Sequence, residues 1–368
     1  MEGLVNQSGV SAIADAEAAN KPLTSVLKAR RLRGKLIVGV LLLLLVGAMV
    51  AGVTLGAVKV ELPDLLQALG FPSGRGGPLE ASTKAIVVKL RLPRVLLSAL
   101  VGAALATAGT IFQALFRNPM ADPYILGVSA GAALGASVAF LFPMSLTPLG
   151  VSLVPVAAFA GAIITVILVG RLARSGDYVS LHNMLLSGIA VGAFFMALVS
   201  LLMYFSRRQL QQVIFWLMGG FDRASWSHFR LALPYFALGL AVTLIHARVL
   251  NALLLGEETA ANLGVEVEQV KKQLLVGASL LTATAVAVSG PIGFVGLIVP
   301  HALRILVGPD HRLLLPASAL GGAVLMVAAD TLARTIIAPT ELPVGLIMSL
   351  GGAPFFISLI RGQKRKTV

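Results

Sequence analysis

An all-α, polytopic membrane protein with about ten spanning helices and an inverted internal repeat is the fold this sequence predicts. Three observations lead there. Hydrophobic residues make up 57% of the 368 positions and charged residues 12%, and the mean hydropathy is +0.91. A soluble domain has about a quarter of its residues charged. Apolar runs of spanning length recur with short gaps between them. Part of the chain also resembles another part when it is laid on itself.

The elements follow in order. Residues 1–35 form an expected cytoplasmic tail whose basic cluster is Lys21, Lys28, Arg30, Arg31, Arg33 and Lys35. The apolar run from Leu36 to Val58 is too long for a signal-peptide core and reads as an uncleaved first span, entered from inside. Residues 59–93 read as an extracytoplasmic segment with a short amphipathic helix near 63–69. The second span is expected over Val95–Phe116. It breaks at Arg117-Asn118-Pro119-Met120-Ala121-Asp122-Pro123, because two prolines so close together cannot sit inside a helix. The third span follows over 124–142. Gly127, Gly131 and Gly135 share one face of it, where another backbone can approach closely. Further spans are expected at 151–170, 184–205, 231–249, 274–290, within 289–312 (short, broken by Pro291 and Pro300), 313–333 and 343–360. Residues 206–229 carry Trp216 and Trp226 among arginines and read as one interfacial helix. The transmembrane domain as a whole is assigned to 36–361, with a basic tail at 362–368. Ten spans put both termini on the cytoplasmic side. The lysines and arginines favour the assigned inner segments only modestly, so arginines left outside need a separate account.

Laid on itself so that Gly109 meets Gly290, the chain also brings Pro119 onto Pro300 and Gly127 onto Gly308. In the assigned topology the two copies run in opposite directions. Inverted repeats with broken helices are a transporter signature.

Composition removes several chemistries. With no cysteine there are no disulfides or thiolate sites. No G-x-x-x-x-G-K-[ST] occurs, so the chain carries no P-loop. The net charge of +13 has no soluble domain to display it and is not a nucleic-acid signal. His182, His228, His246, His301 and His311 are scattered and read as loop or interface residues, not metal ligands. Asp330 and Arg334, four apart, are placed to pair on one helix face, either as a functional intramembrane pair or as an anchor of the helix end. A lone membrane acid is sparse equipment for an ion-coupled carrier, the alternative from a different class.

The stretch 250–272, NALLLGEETAANLGVEVEQVKKQ, has Gly256 and Gly264 as turn points. It reads as two short helices at an angle. The plain alternative is a solvated loop. In a chain without an energy source, it fits a docking element for a separate motor.

Five stretches carry a family resemblance: Arg91-Leu92-Pro93-Arg94, GAALATAG…RNPMADP…LGVSAGA, LLLGEETAANLGV, GPIGFVGLIVPH and ELPVG…GAPFF. Together they resemble the permease subunits of type II ABC importers for iron–siderophore, haem and cobalamin, from about residue 90 to the end. Met120 stands where the family usually has leucine. The resemblance implies a multi-pass homodimer in the bacterial inner membrane, surrounded by lipid. Two cytoplasmic ATPase subunits would use ATP and magnesium, and a periplasmic binding protein would deliver the ligand. The chain itself would bind no cofactor or metal and would catalyse nothing. The resemblance gives Gly256, Glu257, Glu258, Ala260, Leu263 and Gly264 to the ATPase-coupling loop, and Asn118, Met120, Leu181 and His182 to the inner constriction. It gives Arg91, Arg94 and Arg334 to docking of the binding protein. A local reading competes with docking: Arg334 pairs only with Asp330 or Glu341, and Arg91 and Arg94 contact only lipid headgroups. Haem or a ferric siderophore is the expected cargo, with cobalamin as the alternative. The fifth and tenth spans are expected to line the path.

Overall fold

A computed structural model describes residues 32–72, 79–142, 145–146, 151–175, 178–206 and 209–364. The basic cluster of the N-terminal tail and the last four residues lie outside this set, apart from Arg33 and Lys35, which already belong to the first helix. In order, the helices are α1 (Leu32–Thr54), α2 (Leu62–Ala68), α3 (Ala81–Ala85), α4 (Leu92–Leu115), α5 (Val128–Leu141), α6 (Leu153–Leu172), α7 (Leu181–Phe205) and α8 (Leu210–Met218). They continue as α9 (Trp226–Ile245), α10 (Ala247–Leu254), α11 (Glu257–Asn262), α12 (Val267–Ser289), α13 (Val295–Val307), α14 (His311–Thr335) and α15 (Val344–Lys364). Two-residue antiparallel ladders close the α5–α6 and α6–α7 turns, Ser145–Leu146 with Val151–Ser152 and Arg174–Ser175 with Tyr178–Val179. Seven helical stretches are long and apolar enough to cross a membrane. With the shorter apolar helices α5, α13 and α15 they make up the expected set of about ten.

Helix α4 is the axis of the fold. Nearly all its side chains are buried, and it packs on α14, α12, α13 and α9. Glycine makes the closest crossings possible. A β-carbon on Gly102 would stand 2.1 Å from the Gly322 carbonyl oxygen, and one on Gly109 would stand 2.0 Å from that of Gly296. The glycine face expected on the third span is used in the same way. A β-carbon on Gly135 would lie 2.1 Å from the Ala157 carbonyl oxygen of α6, and Gly131 abuts Thr165 and Gly161. Small residues bring two backbones into van der Waals range, which is the main attraction between helices in lipid. Helices α1, α7 and α15 present large apolar side chains outward, among them Leu43, Ile189, Phe205 and Leu350.

Three expectations about elements are corrected. The helix leading into α4 starts at Ala81, well inside the stretch read as an extracytoplasmic segment. It passes through a π-helical turn, Ile86–Arg91. Pro93 does not break it, because it falls at the start of α4 and the widened turn relieves the clash of its ring with the preceding turn. The interfacial helix expected over 206–229 is two elements. Gly219, at φ 67°, ends α8, and Ser225 caps α9 by accepting from the His228 N–H. The repeat holds by element and not by residue. The order α4–α5–α6–α7 recurs as α12–α13–α14–α15, but Gly109 lies inside α4 whereas Gly290 lies beyond the end of α12. The two copies are opposed in direction. Arg94 at the start of α4 meets Asp330 near the end of α14, while Lys271 at the start of α12 meets Glu257 at the opposite end of the molecule.

Candidate functional site

Non-helical backbone within an apolar bundle has to be satisfied by protein. Two breaks meet this condition together. The elbow after α4 is shaped by Asn118, whose Oδ1 accepts the Met120 N–H at 2.9 Å, and by Asp122, whose Oδ1 accepts the Tyr124 N–H at 2.7 Å. Tyr124 then reaches the break between α12 and α13. Its hydroxyl accepts the Ile292 N–H at 2.9 Å and donates to the Ile292 carbonyl at 3.0 Å. At the same break the Gly220 N–H donates to Ser289 O, and the Gly345 N–H donates to Gly219 O, so the end of α8 and the start of α15 join it. Gly290, at φ 68°, lies against the Trp216 carbonyl, where any β-carbon would collide. Sequence reasoning found the prolines and glycines of this junction. It did not single out Tyr124, whose only signal was its place directly after Asp122-Pro123.

The inner-constriction candidates come from two elements held together here. Met120 and His182 are exposed, and Leu181 is partly buried at the first turn of α7. Gly188, two turns further along α7, packs on the backbone of Ile125 and Leu126 just beyond the elbow.

At the same end of the molecule lies the loop predicted as two angled helices. Gly256, at φ 120°, separates α10 from α11, and Gly264, at φ 84°, turns the chain towards α12. Glu257 and Glu258 open α11, where carboxylates suit a helix N-terminus. Ala260 is fully buried beneath the loop, while Leu255 and Leu263 stand exposed. The loop is tied to the bundle. Lys271 donates to Glu257 and, at 3.2 Å, to Glu268, and Arg117 donates to the Leu253 carbonyl at 3.4 Å.

The three arginines lie together at the opposite end, and each is held by partners within the chain. Arg91 is buried and donates to the carbonyls of Val53, Thr54 and Val58, at the C-terminal end of α1. Arg334, also buried, donates to the Gly52 and Leu55 carbonyls and to Asp330 at 3.2 Å. Arg94 pairs with Asp330 at 2.9 Å and with the half-exposed Glu341 at 2.7 Å. The carbonyls at the C-terminal end of α1 carry the negative end of the helix dipole, so cations are their natural partners. The anticipated Arg334–Asp330 pair is present, whereas Glu341 pairs with Arg94 and not with Arg334, and Arg91 and Arg94 are held by protein partners in place of the expected headgroups. These side chains line one wall of a cavity of about 360 Å³ that also touches Phe221 and Asp222. No group of three or more metal-ligating side chains occurs among the described residues.

An inverted pair of broken-helix repeats, a satisfied mid-bundle junction and an anchored helical loop at one end define a membrane transport permease. Residues 42–362 match the FecCD transport family, and the chain belongs to it. It is 48% identical over 302 residues to the cobalamin import system permease BtuC of Halobacterium salinarum, covering 82% of this chain and 80% of that protein. It is 44% identical over 342 residues to the hemin transport system permease HmuU of Yersinia pestis, covering 91% and 98%. A solved structure of a metal-chelate type ABC transporter in an inward-facing conformation superposes with a TM-score of 0.78 at 33% identity, covering 89% of this chain and 99% of that one.

Proposed function

We propose that this chain is the transmembrane subunit of an ATP-driven importer that passes haem or another iron chelate from a periplasmic binding protein to the bacterial cytoplasm. The observation that carries the reading is the docking loop. A chain without a P-loop presents an acidic, leucine-tipped helix pair, hinged at Gly256 and Gly264 and bolted to α12 by Lys271. Two copies of the chain, with α7 and α15 facing the path, would stand on two ATPase subunits that bind ATP and magnesium. Both termini would then be cytoplasmic. The different-class alternative, an ion-coupled carrier, fits less well, because Asp330 is clamped between Arg94 and Arg334 and is not free to take up a cation.

The cargo has two readings. The haem reading rests on the likeness of FWLMGGFDRASW and MSLGGAPFF to haem permeases and on the length shared with the hemin relative. The cobalamin reading is favoured by the higher identity to the cobalamin relative. The deciding experiment is to purify the binding protein encoded beside this chain and identify the ligand it retains. Vesicles holding the reassembled complex should then import that ligand only with ATP inside. Import driven by an ion gradient without ATP would refute the reading.

The docking of the binding protein at Arg91, Arg94 and Arg334 becomes an exchange on this geometry. A partner carboxylate would take the place of Glu341 on Arg94, the outermost contact of the cluster. Glu341→Gln should therefore strengthen association of the binding protein at low salt, with the gain shrinking as salt rises. Unchanged association at both salt concentrations would mean the arginines serve only the fold.

A further inference from the structure

A loop that receives force from a motor has to be joined to the helices that must move. The polar contacts around the loop are unequal in this respect. Lys271 and Arg117 reach it with long, flexible side chains. One short side chain does something different. Asn251, on α10, places its amide against the first residues of α14. Its Oδ1 accepts the His311 N–H at 2.8 Å and lies 3.0 Å from His311 Nδ1, and its Nδ2 donates to Asp310 Oδ1 at 2.6 Å. The same Asp310 oxygen caps α14 by accepting the Arg312 N–H at 3.0 Å. An asparagine amide offers one accepting and one donating end, and both are used here in a single orientation. Because Asn251 Oδ1 can only accept, His311 Nδ1 must carry the hydrogen. The imidazole is buried, and its Nε2 has no partner among the described residues. The side chain is thus held by Asn251 alone among its polar contacts.

Helix α14 is well suited to carry what it receives. It lies along α4 with the Gly102–Gly322 crossing at its middle, which leaves no room for sliding. Its far end carries Asp330 and Arg334, which hold Arg94 and the end of α1. One rigid pair of helices therefore joins the N-terminus clasped by Asn251 to the arginine cluster at the other face of the molecule.

We propose that Asn251 is the positioning residue that transmits movement of the ATPase-coupling loop to α14, and through α14 to the arginine cluster. This rests on the importer reading above. The transmission is mechanical. Asn251 touches neither nucleotide nor cargo, and loss of its amide lets α10 move without turning the start of α14.

The lack of cysteine makes the test clean. A spin label is placed at exposed Ile336, just beyond α14, in the complex with its ATPase reconstituted in nanodiscs. The distance between the labels of the two copies is measured without nucleotide and trapped with ATP and vanadate, and ATP hydrolysis is measured on the same samples. In the parent complex the distance should change on trapping. Asn251→Leu should reduce that change, normalised to hydrolysis, by about tenfold, within the range of ordinary coupling energies. Asn251→Asp should behave similarly by facing one carboxylate with another. The exchange Asn251→Asp with Asp310→Asn should restore the change, because donor and acceptor swap sides once the new amide at 310 turns its NH2 towards the new carboxylate and its oxygen towards the Arg312 N–H. An undiminished change in Asn251→Leu or Asn251→Asp, or no rescue by the exchange, would overturn the proposal. If Asn251→Leu does not fold, the comparison of Asn251→Asp with the exchange still decides. A parent complex that neither assembles with the ATPase nor hydrolyses ATP would instead count against the importer reading.

Discussion

Asp330 shows how much one residue carries in this chain. It is nearly inaccessible and accepts from Arg94 and Arg334 together. Removing one partner of a buried pair leaves the other charge uncompensated, at a cost of about 3–5 kcal/mol. Asp330→Ala leaves Arg334 without a carboxylate and Arg94 with Glu341 alone, and should sharply lower the detergent-solubilised melting temperature. Glu341→Gln, at the half-exposed edge of the same network, should cost about 0–1 kcal/mol, as exposed pairs do. Equal losses in the two variants would mean that the network is not ordered from Asp330 outward. The Asp330–Arg334 pair was legible from four-residue spacing. Arg94 as the second partner was not, because it comes from a helix more than two hundred positions away and only the α4–α14 crossing brings it there. Tyr124 is a similar case. Nothing in its neighbours announces the Ile292 backbone it satisfies.

Between elements, glycine decides where helices touch, and its uses separate by position. Gly47 has nothing within 4 Å of an added β-carbon, so Gly47→Ala should be tolerated. Gly102→Val meets Gly322 O and Met326 at once and should abolish recovery of folded protein. Helix α1 is the least embedded span, and its end is held by Arg91 and Arg334 through carbonyls. Arg91→Lys keeps the charge but replaces the planar fork with a single ammonium, which cannot serve the same carbonyls from one position. Limited proteolysis between α1 and α2 should become faster in that variant while the rest of the bundle stays resistant. An unchanged cleavage rate would show that the small apolar cluster of Val53, Val60, Val87 and Val95 holds α1 by itself. At the loop, Gly264 has open space around it, so Gly264→Val costs backbone strain alone. The bundle should stay folded while ATP-driven transport falls, and normal transport in that variant would remove the loop from the coupling role.

The whole molecule has an unequal distribution of polarity. Its charged networks stand at the two ends, and α7 and α15 present mainly apolar side chains between them. Such a surface lets a bulky ligand pass without holding it, which suits a permease fed by a separate high-affinity protein. The isolated chain should bind free haemin or cobalamin weakly, and a tight stoichiometric complex by titration would contradict this. What the sequence determined by itself was whatever lies in composition and local spacing. Apolar length gave the spans, prolines and glycines gave the breaks, and Gly256 and Gly264 bounded the loop. The three arginines were legible as a group, and so was the Asp330 partner of Arg334, but their other partners were not. Their pairing with α1 carbonyls, the continuation of α4 back through a π-helical turn, and the split of residues 206–229 into two elements were decided by tertiary structure. The reason is plainest for the arginines. A buried polar group takes whichever partner the packing brings within reach, and that partner is set by helix crossings between residues far apart in the chain.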